Sequence, residues 1–313
     1  KQKVREGVEV RVMYDDMGCI STLKTGYWRT LEQFGIKARV FNEFKPSLDM
    51  FMNNRDHRKI AVIDGNVGFT GGINLADEYI NEYAKHGYWK DASVVLRGEA
   101  VFNLTIIFLR LWGLNSPDYN EDIFQFKPTE FYPSKGYVFP FDDSPLDNEQ
   151  VGELTYMSLI NNAKHYIYIT TPYLIIDNEM TVSLKLAAKS GVDVRIVTPF
   201  FADKWFVHAV TRSSYNELIE AGIKIFEFTP GFIHSKTIVC DDEIALVGTT
   251  NFDYRSFYLH FECGCLMYKT SAIMQIKADY EDILSKSTPI QITKPKFFVG
   301  ILRAVLKIFA PLM

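Results

Sequence analysis

Residues 57–74 read HRKIAVIDGNVGFTGGIN and residues 234–251 read HSKTIVCDDEIALVGTTN. From His57, Lys59 lies two residues on, Asp64 seven, Gly71 fourteen and Asn74 seventeen; from His234, Lys236, Asp241, Gly248 and Asn251 stand at the same offsets. Repetition of five residue types at fixed spacing within one chain implies a duplicated unit, with a site made from both copies.

The duplication runs well beyond the motif. REGVEVRVMYDD (5–16) matches KSGVDVRIVTPF (189–200), each a glycine that ends a helix followed by an alternating strand. TLEQFGIKARVF (30–41) matches ELIEAGIKIFEF (217–228), and WKDASVVL (89–96) aligns with HFECGCLM (260–267), which sets Asp91 opposite Glu262. Each half alternates helix and strand, so the expected fold class is α/β: two related sandwich halves with the site between them. The halves are expected at 1–136 and 137–290, with a terminal helix at 291–313.

The first half lacks a counterpart of the helix–strand–helix text at 151–189, in which the strand is expected at His165–Thr171. An α/β unit without those pieces leaves an unpaired sheet edge and bare apolar surface. The natural chain is therefore expected to be longer at its N-terminus, as the first residue, Lys1, also suggests. Residues 98–114 read as a largely buried helix, and 115–147, with five prolines and no clear period, as an irregular linker.

Composition narrows the partners. In 313 residues, 34 basic side chains face 38 acidic ones for a net charge of -4, whereas a chain built to grip phosphate backbones carries a basic excess. Any phosphate site must be local. No stretch reaches the roughly 18 uncharged apolar residues of a membrane span, and there is no signal peptide. Cys19, Cys240, Cys263 and Cys265 are too scattered for a disulfide framework, and Cys263 and Cys265 read as buried thiols on one face of a strand, in preference to a C-x-C metal or redox site.

In HRKIAVID the alternation His57, Lys59, Ala61 is the period of a strand, so His57 and Lys59 project from one face. An imidazole serves as nucleophile or general acid/base near neutral pH, and a neighbouring ammonium adds positive charge. The later glycines admit close approach, while Asn74 and Asn251 supply amide donors. Two copies facing each other make a pocket of two His, two Lys and two Asn, suited to one phosphodiester. Asp64 and Asp241 sit off the His/Lys parity, ahead of turns, where a merely structural repeated strand would also want them. His86, His165, His208 and His260 have no repeated companions and read as structural.

The doubled H-x-K-x4-D, each copy followed by a Gly–Asn segment, resembles the signature of the phospholipase D superfamily over nearly the whole chain. The flanking stretches NNRDHRKIAVIDG, GYVFPFDDSPLDNE, YITTPYLIIDNEM, TPGFIHSKT and NFDYRSFYLHFECG are similar to bacterial cardiolipin synthases of the Gram-positive type. In that group two hydrophobic segments precede the catalytic part. The resemblance implies transfer of a phosphatidyl group between two phosphatidylglycerol molecules, giving cardiolipin and glycerol through a phosphatidyl-histidine. By the same analogy His57 is the nucleophile and His234 the acid/base, with Lys59, Asp64, Lys236 and Asp241 completing the catalytic set. Lys59, Lys236, Asn74 and Asn251 hold the phosphoryl oxygens, and no cofactor or metal is expected. Asp91 and Glu262 are the candidates for orienting the imidazoles, Asp91 on His57 and Glu262 on His234.

The expected partners are phosphatidylglycerol and an anionic membrane surface, not nucleic acid, with a homo-oligomer left open; the expected location is the cytoplasmic side of a bacterial cell membrane. A phosphodiesterase or nuclease with water as acceptor would use the same chemistry, and a lipid-binding scaffold with a vestigial site is the non-enzymatic alternative. The tail KPKFFVGILRAVLKIFAPLM (294–313) carries Lys296, Gly300, Arg303 and Lys307 along one narrow stripe and apolar residues elsewhere, the pattern of an amphipathic helix lying in a membrane interface.

Overall fold

In the computed structural model of the chain, the described residues are 1–44, 50–114, 119–292, 305–307 and 310. The second half builds the larger layer. Its helix Asn178–Lys189 starts where the Asp177 carboxylate accepts from the Met180 amide at 2.8 Å, and stops at Gly191, whose φ of +94° suits a residue without a Cβ. The chain then turns into the strand Asp193–Pro199.

Nine strands form one sheet among the described residues. Its order runs from Ser287–Pro289 through Lys224–Phe228, Asp193–Pro199, Tyr166–Thr170, Thr237–Cys240 and Ile244–Gly248 to His260–Tyr268, with which Arg55–Asp56 and Tyr137–Asp143 both pair. Val151–Asn162 and Asn178–Lys189 cover one face and bury Ile167, Ile169, Ile238 and Leu246. Helix Ala272–Ser285 covers the other.

The first half repeats this plan with a gap. Arg11–Asp15 pairs in parallel with Lys37–Phe41, and Ile60–Ile63, Val67–Gly71 and Ser93–Arg97 form an antiparallel sheet. The repeat equivalent of Tyr166–Thr170, which joins the corresponding groups in the second half, has no counterpart among the described residues. The consequence is visible on the surface: Ile63, Phe69 and Val95 are exposed, whereas their equivalents Cys240 and Leu246 are buried and Leu266 packs against the same core. Helix Ala100–Gly113 lies on the opposite face and buries Val101, Leu104 and Ile107. These three share a core with Val239, Val247, Cys265, Met267 and Ile273, so the halves are joined by packing as well as by the chain.

Two details of the sequence reading change. Tyr137–Asp143, at the end of the expected irregular linker, is a seven-residue strand that pairs antiparallel with His260–Tyr268. It forms an outer strand of the sheet, which is where Pro140 can be accommodated despite lacking an N–H. The expected amphipathic helix at 294–313 falls outside the described residues except for Val305–Lys307, which is helical, and Ala310; Leu306 and Ala310 rest against Ile175, Val207 and Val210. No helix among the described residues is long and apolar enough to cross a membrane.

Candidate active site

Two short strand pairs cross between the halves and build the site. Arg55–Asp56 pairs in parallel with the start of His260–Tyr268, with Asp56 opposite Phe261. One residue further on, His57 and Glu262 meet, and the His57 Nδ1 donates to the Glu262 carboxylate at 2.9 Å. Gly231–Ile233 pairs in parallel with Tyr88–Lys90, with Ile233 opposite Lys90. The next residues, His234 and Asp91, meet in the same way at 2.7 Å. A Cβ on Gly231 would stand 2.1 Å from the Tyr88 carbonyl oxygen, so this close strand approach requires glycine.

The pairing is therefore crossed relative to the sequence expectation: Glu262 orients His57 and Asp91 orients His234. Repeat alignment matches equivalent positions, but the strands pair across the pseudo-twofold axis, so each carboxylate serves the other half's imidazole. Donation from Nδ1 fixes the tautomer and leaves Nε2 as the reactive nitrogen on both rings.

The lysines follow the same symmetry up to a point. Lys59 donates to the His57 carbonyl and Lys236 to the His234 carbonyl. Lys236 Nζ also lies 2.9 Å from both His234 ring nitrogens, a contact with the ring that Lys59 does not repeat among the described residues. The two motifs form one electrostatic cluster: Lys59 depresses His234 as well as His57, and both ammonium groups feel both Asp91 and Glu262. Burial, reinforced by the lysines and opposed by the carboxylates, pushes His57 down to about 3 and His234 to about 4. Burial likewise brings Lys236 down to about 7 and lowers Lys59. Asp91 falls to about 2, because His234 and Lys236 outweigh the burial that opposes its ionisation.

Both imidazoles are thus neutral in the resting protein. In a pH titration followed by NMR, the His57 and His234 ring Cε1–H resonances are expected to keep neutral-imidazole shifts from about pH 7 down to about pH 5. Titration of either ring with a midpoint at about pH 5 or above would contradict the burial argument. The unfolded chain protonates both near 6.5, so these two groups withdraw stability as the pH falls from there toward the folded values.

The remaining site candidates divide. Asp241 lies in the hairpin turn after Thr237–Cys240, with φ of +52°, and its carboxylate accepts from the amides of Lys164, His165 and Tyr166 at 2.7, 2.9 and 2.8 Å. Asp64 has the same φ and is exposed in the matching turn. These aspartates shape hairpins; neither makes a contact with an imidazole among the described residues, which corrects their place in the expected catalytic set. Asn74 donates to the Tyr79 hydroxyl at 2.5 Å, and Tyr79 packs edge-on against His234 with ring centres 5.4 Å apart. Asn251 is buried, donates to Asp253 at 3.1 Å, and keeps its Oδ1 without a partner among the described residues.

Sequence reading passed over His260, whose ring lies 5.5 Å from that of His57 and whose Nδ1 stands 3.6 Å from Glu262. Its repeat equivalent is Trp89, which packs 5.2 Å from His234. The position is thus a platform for the opposite half's imidazole, and no periodicity reveals it because the two residue types differ. His57, His260 and Glu262 also offer three ligand atoms within 4.8 Å of one another. Lys59, whose charge lowers His57, and Arg255, which donates to His260 Nε2 at 3.3 Å, place positive charge beside that trio and oppose a cation there.

Comparison with known proteins gives a consistent picture. The family described as the phospholipase D-like domain of cardiolipin synthase matches residues 1–102 and 156–284. An uncharacterized protein of Streptococcus mutans is 48% identical over 316 residues, covering 100% of this chain and 68% of that protein. Cardiolipin synthases of Halalkalibacterium halodurans and Alkalihalophilus pseudofirmus are 38% and 39% identical, covering 100% and 99% of this chain and 63% of each relative. The chain thus spans about two thirds of the length of these relatives. Phosphatidylserine synthase of Haemophilus influenzae superposes with a TM-score of 0.72 at 14% identity, over 97% of this chain and 80% of that one, a likeness of fold.

Proposed function

Because this chain belongs to the cardiolipin synthase family, through its phospholipase D-like domain, we propose that it catalyses phosphatidyl transfer from one phosphatidylglycerol to another, giving cardiolipin and glycerol. The observation that carries this reading is the pair of crossed imidazole–carboxylate contacts, His57–Glu262 and His234–Asp91, within one charge-coupled cluster. Two oriented imidazoles serve a double displacement, one binding phosphorus while the other moves protons.

In the first step His57 Nε2 attacks phosphorus and the bond from phosphorus to the terminal glycerol oxygen breaks. That oxygen takes a proton from His234 Nε2, and glycerol leaves. Neutral His234 receives this proton from Lys236, whose Nζ lies 2.9 Å from both nitrogens of the ring and whose pKa is brought down to about 7. In the second step the hydroxyl of another phosphatidylglycerol gives its proton to His234, which returns it to Lys236; the hydroxyl oxygen attacks phosphorus, and the phosphorus–nitrogen bond to His57 breaks. Lys59 stabilises the equatorial oxygens as charge develops in both steps, and Lys236 does so while it holds its proton. Asn74 joins them, as does Asn251 once its amide turns an N–H toward the phosphate. The contact of Lys236 with the His234 ring favours His234 as the proton carrier and leaves His57 as the nucleophile.

The membrane of a bacterial cell is the natural place for such a substrate, with the catalytic part on its cytoplasmic side. Mass spectrometry after incubation with phosphatidylglycerol vesicles tests the reading. Cardiolipin and glycerol are expected in equal amounts. Phosphatidic acid as the sole lipid product would mean that water is the acceptor and that the chain is a phosphodiesterase.

A further inference from the structure

Exposed apolar side chains gather on two loops beside the site. In the loop after Asn74, Leu75 is fully exposed, Ile80 is 63% exposed and Tyr83 is also exposed. After the strand Asp193–Pro199, Phe200 and Phe201 are exposed and Trp205 is 65% exposed. The loops come from different halves and each is tied to the site by geometry. Tyr79 accepts from Asn74 and packs on His234, while Asp203 accepts from Tyr173 at 2.5 Å, just ahead of Leu174–Ile175, which pairs with Phe252–Asp253 beside Asn251. Lys85 and Lys204, both exposed, stand among the apolar residues together with Asp77, Glu78, Glu82 and Asp203, so apolar burial and not net charge is what these loops offer.

We propose that these two loops seat on a phospholipid bilayer, with Leu75, Ile80, Phe201 and Trp205 entering the interfacial region beside the His57–His234 cluster. The proposal rests on the phosphatidyl-transfer reading for the reason that a lipid should be delivered here. The arrangement itself specifies the occupant. Aliphatic tips beside an exposed tryptophan and tyrosine match the headgroup boundary, where aromatic rings settle and apolar tips enter the edge of the acyl region. A second copy of the chain docked on the same loops would close over the site they flank. The open sheet face at Ile63, Phe69 and Val95 differs: its repeat equivalents are covered by the protein's own helices, so it reads as a face for secondary structure.

The test uses Trp205 as probe. Its fluorescence is expected to shift to the blue with phosphatidylglycerol vesicles and to be quenched by lipids brominated on their upper acyl carbons, and Trp205→Phe should remove the quenched component. The triple variant Leu75→Ser, Ile80→Ser, Phe201→Ser keeps the probe and is expected to bind vesicles on the order of 100-fold more weakly. Its turnover of a short-chain phosphatidylglycerol dissolved below its micelle concentration is expected to stay within about twofold of the unaltered chain, because none of the three residues belongs to the reacting cluster. Unchanged vesicle affinity in the triple variant, or a Trp205 that brominated lipid does not quench, overturns the proposal while leaving the transfer reading intact. Lipid-free dimerisation that the triple substitution abolishes would show that a second copy is the occupant, and overturns it as well. Loss of short-chain turnover in the unaltered chain would count against the transfer reading instead.

Discussion

His57→Ala is expected to remove phosphatidyl transfer, a loss on the order of 10⁴-fold or more, and to remove the covalent lipid adduct with it. His234→Ala is expected to lower transfer from phosphatidylglycerol by a comparable factor and yet to keep adduct formation from a substrate whose leaving group needs no proton, such as a p-nitrophenyl phosphodiester. The difference follows from the two lysines. Lys236 holds the His234 ring at 2.9 Å and can recharge it with a proton, whereas Lys59 binds the backbone carbonyl of His57 and leaves that ring as an attacking group. The measurement is a quench-flow trap of the adduct followed by peptide mapping. An adduct retained in His57→Ala and lost in His234→Ala would exchange the two roles. No adduct in the unaltered chain, with transfer still running, would sink the covalent scheme.

Much of the site is legible in the sequence, because a catalytic motif repeated at fixed offsets records both the chemistry and the duplication. Alternation suggests that His57 and Lys59, like His234 and Lys236, share one side of the chain, although each pair lies in the break between two strands and not on a strand, and repeat alignment finds Asp91 and Glu262 as a matched pair. Which carboxylate serves which imidazole could not be read the same way. That choice depends on Arg55–Asp56 pairing with His260–Tyr268 and on Gly231–Ile233 pairing with Tyr88–Lys90, contacts between segments far apart in the chain. Alignment matches positions that are equivalent by symmetry, while hydrogen bonds form between positions that are adjacent in space. The strand Tyr137–Asp143 is hidden for a different reason: Pro140 and the neighbouring aromatics break the alternation, and the segment is extended because His260–Tyr268 offers it a free edge. His260 carries no signal, since its partner in the repeat is Trp89. The motif aspartates show the reverse case, a conspicuous spacing that serves two hairpin turns.

The crossed pairing carries the second large effect. Asp91→Asn is expected to lower transfer by roughly 10²–10⁴-fold, since an amide can hold the His234 ring but accepts poorly from Nδ1–H and favours the wrong tautomer. It should leave adduct formation from the activated phosphodiester nearly intact, as His234→Ala does. Glu262→Gln is expected to lower both, because Glu262 orients the nucleophile. Glu262 is fully buried and also accepts from the Thr249 hydroxyl, so its variant calls for a thermal melt beside the kinetics. Double substitutions separate orientation from general damage. Asp91→Asn should add little to His234→Ala, and Glu262→Gln little to His57→Ala, because the main catalytic effect of each carboxylate runs through its own ring. The uncrossed pairing would interchange the two non-additive pairs and make Asp91→Asn, not Glu262→Gln, the variant that loses the adduct. A single kinetic series therefore reads out a contact between the halves that no position within either half discloses, and it does so by asking which imidazole falls silent with which carboxylate.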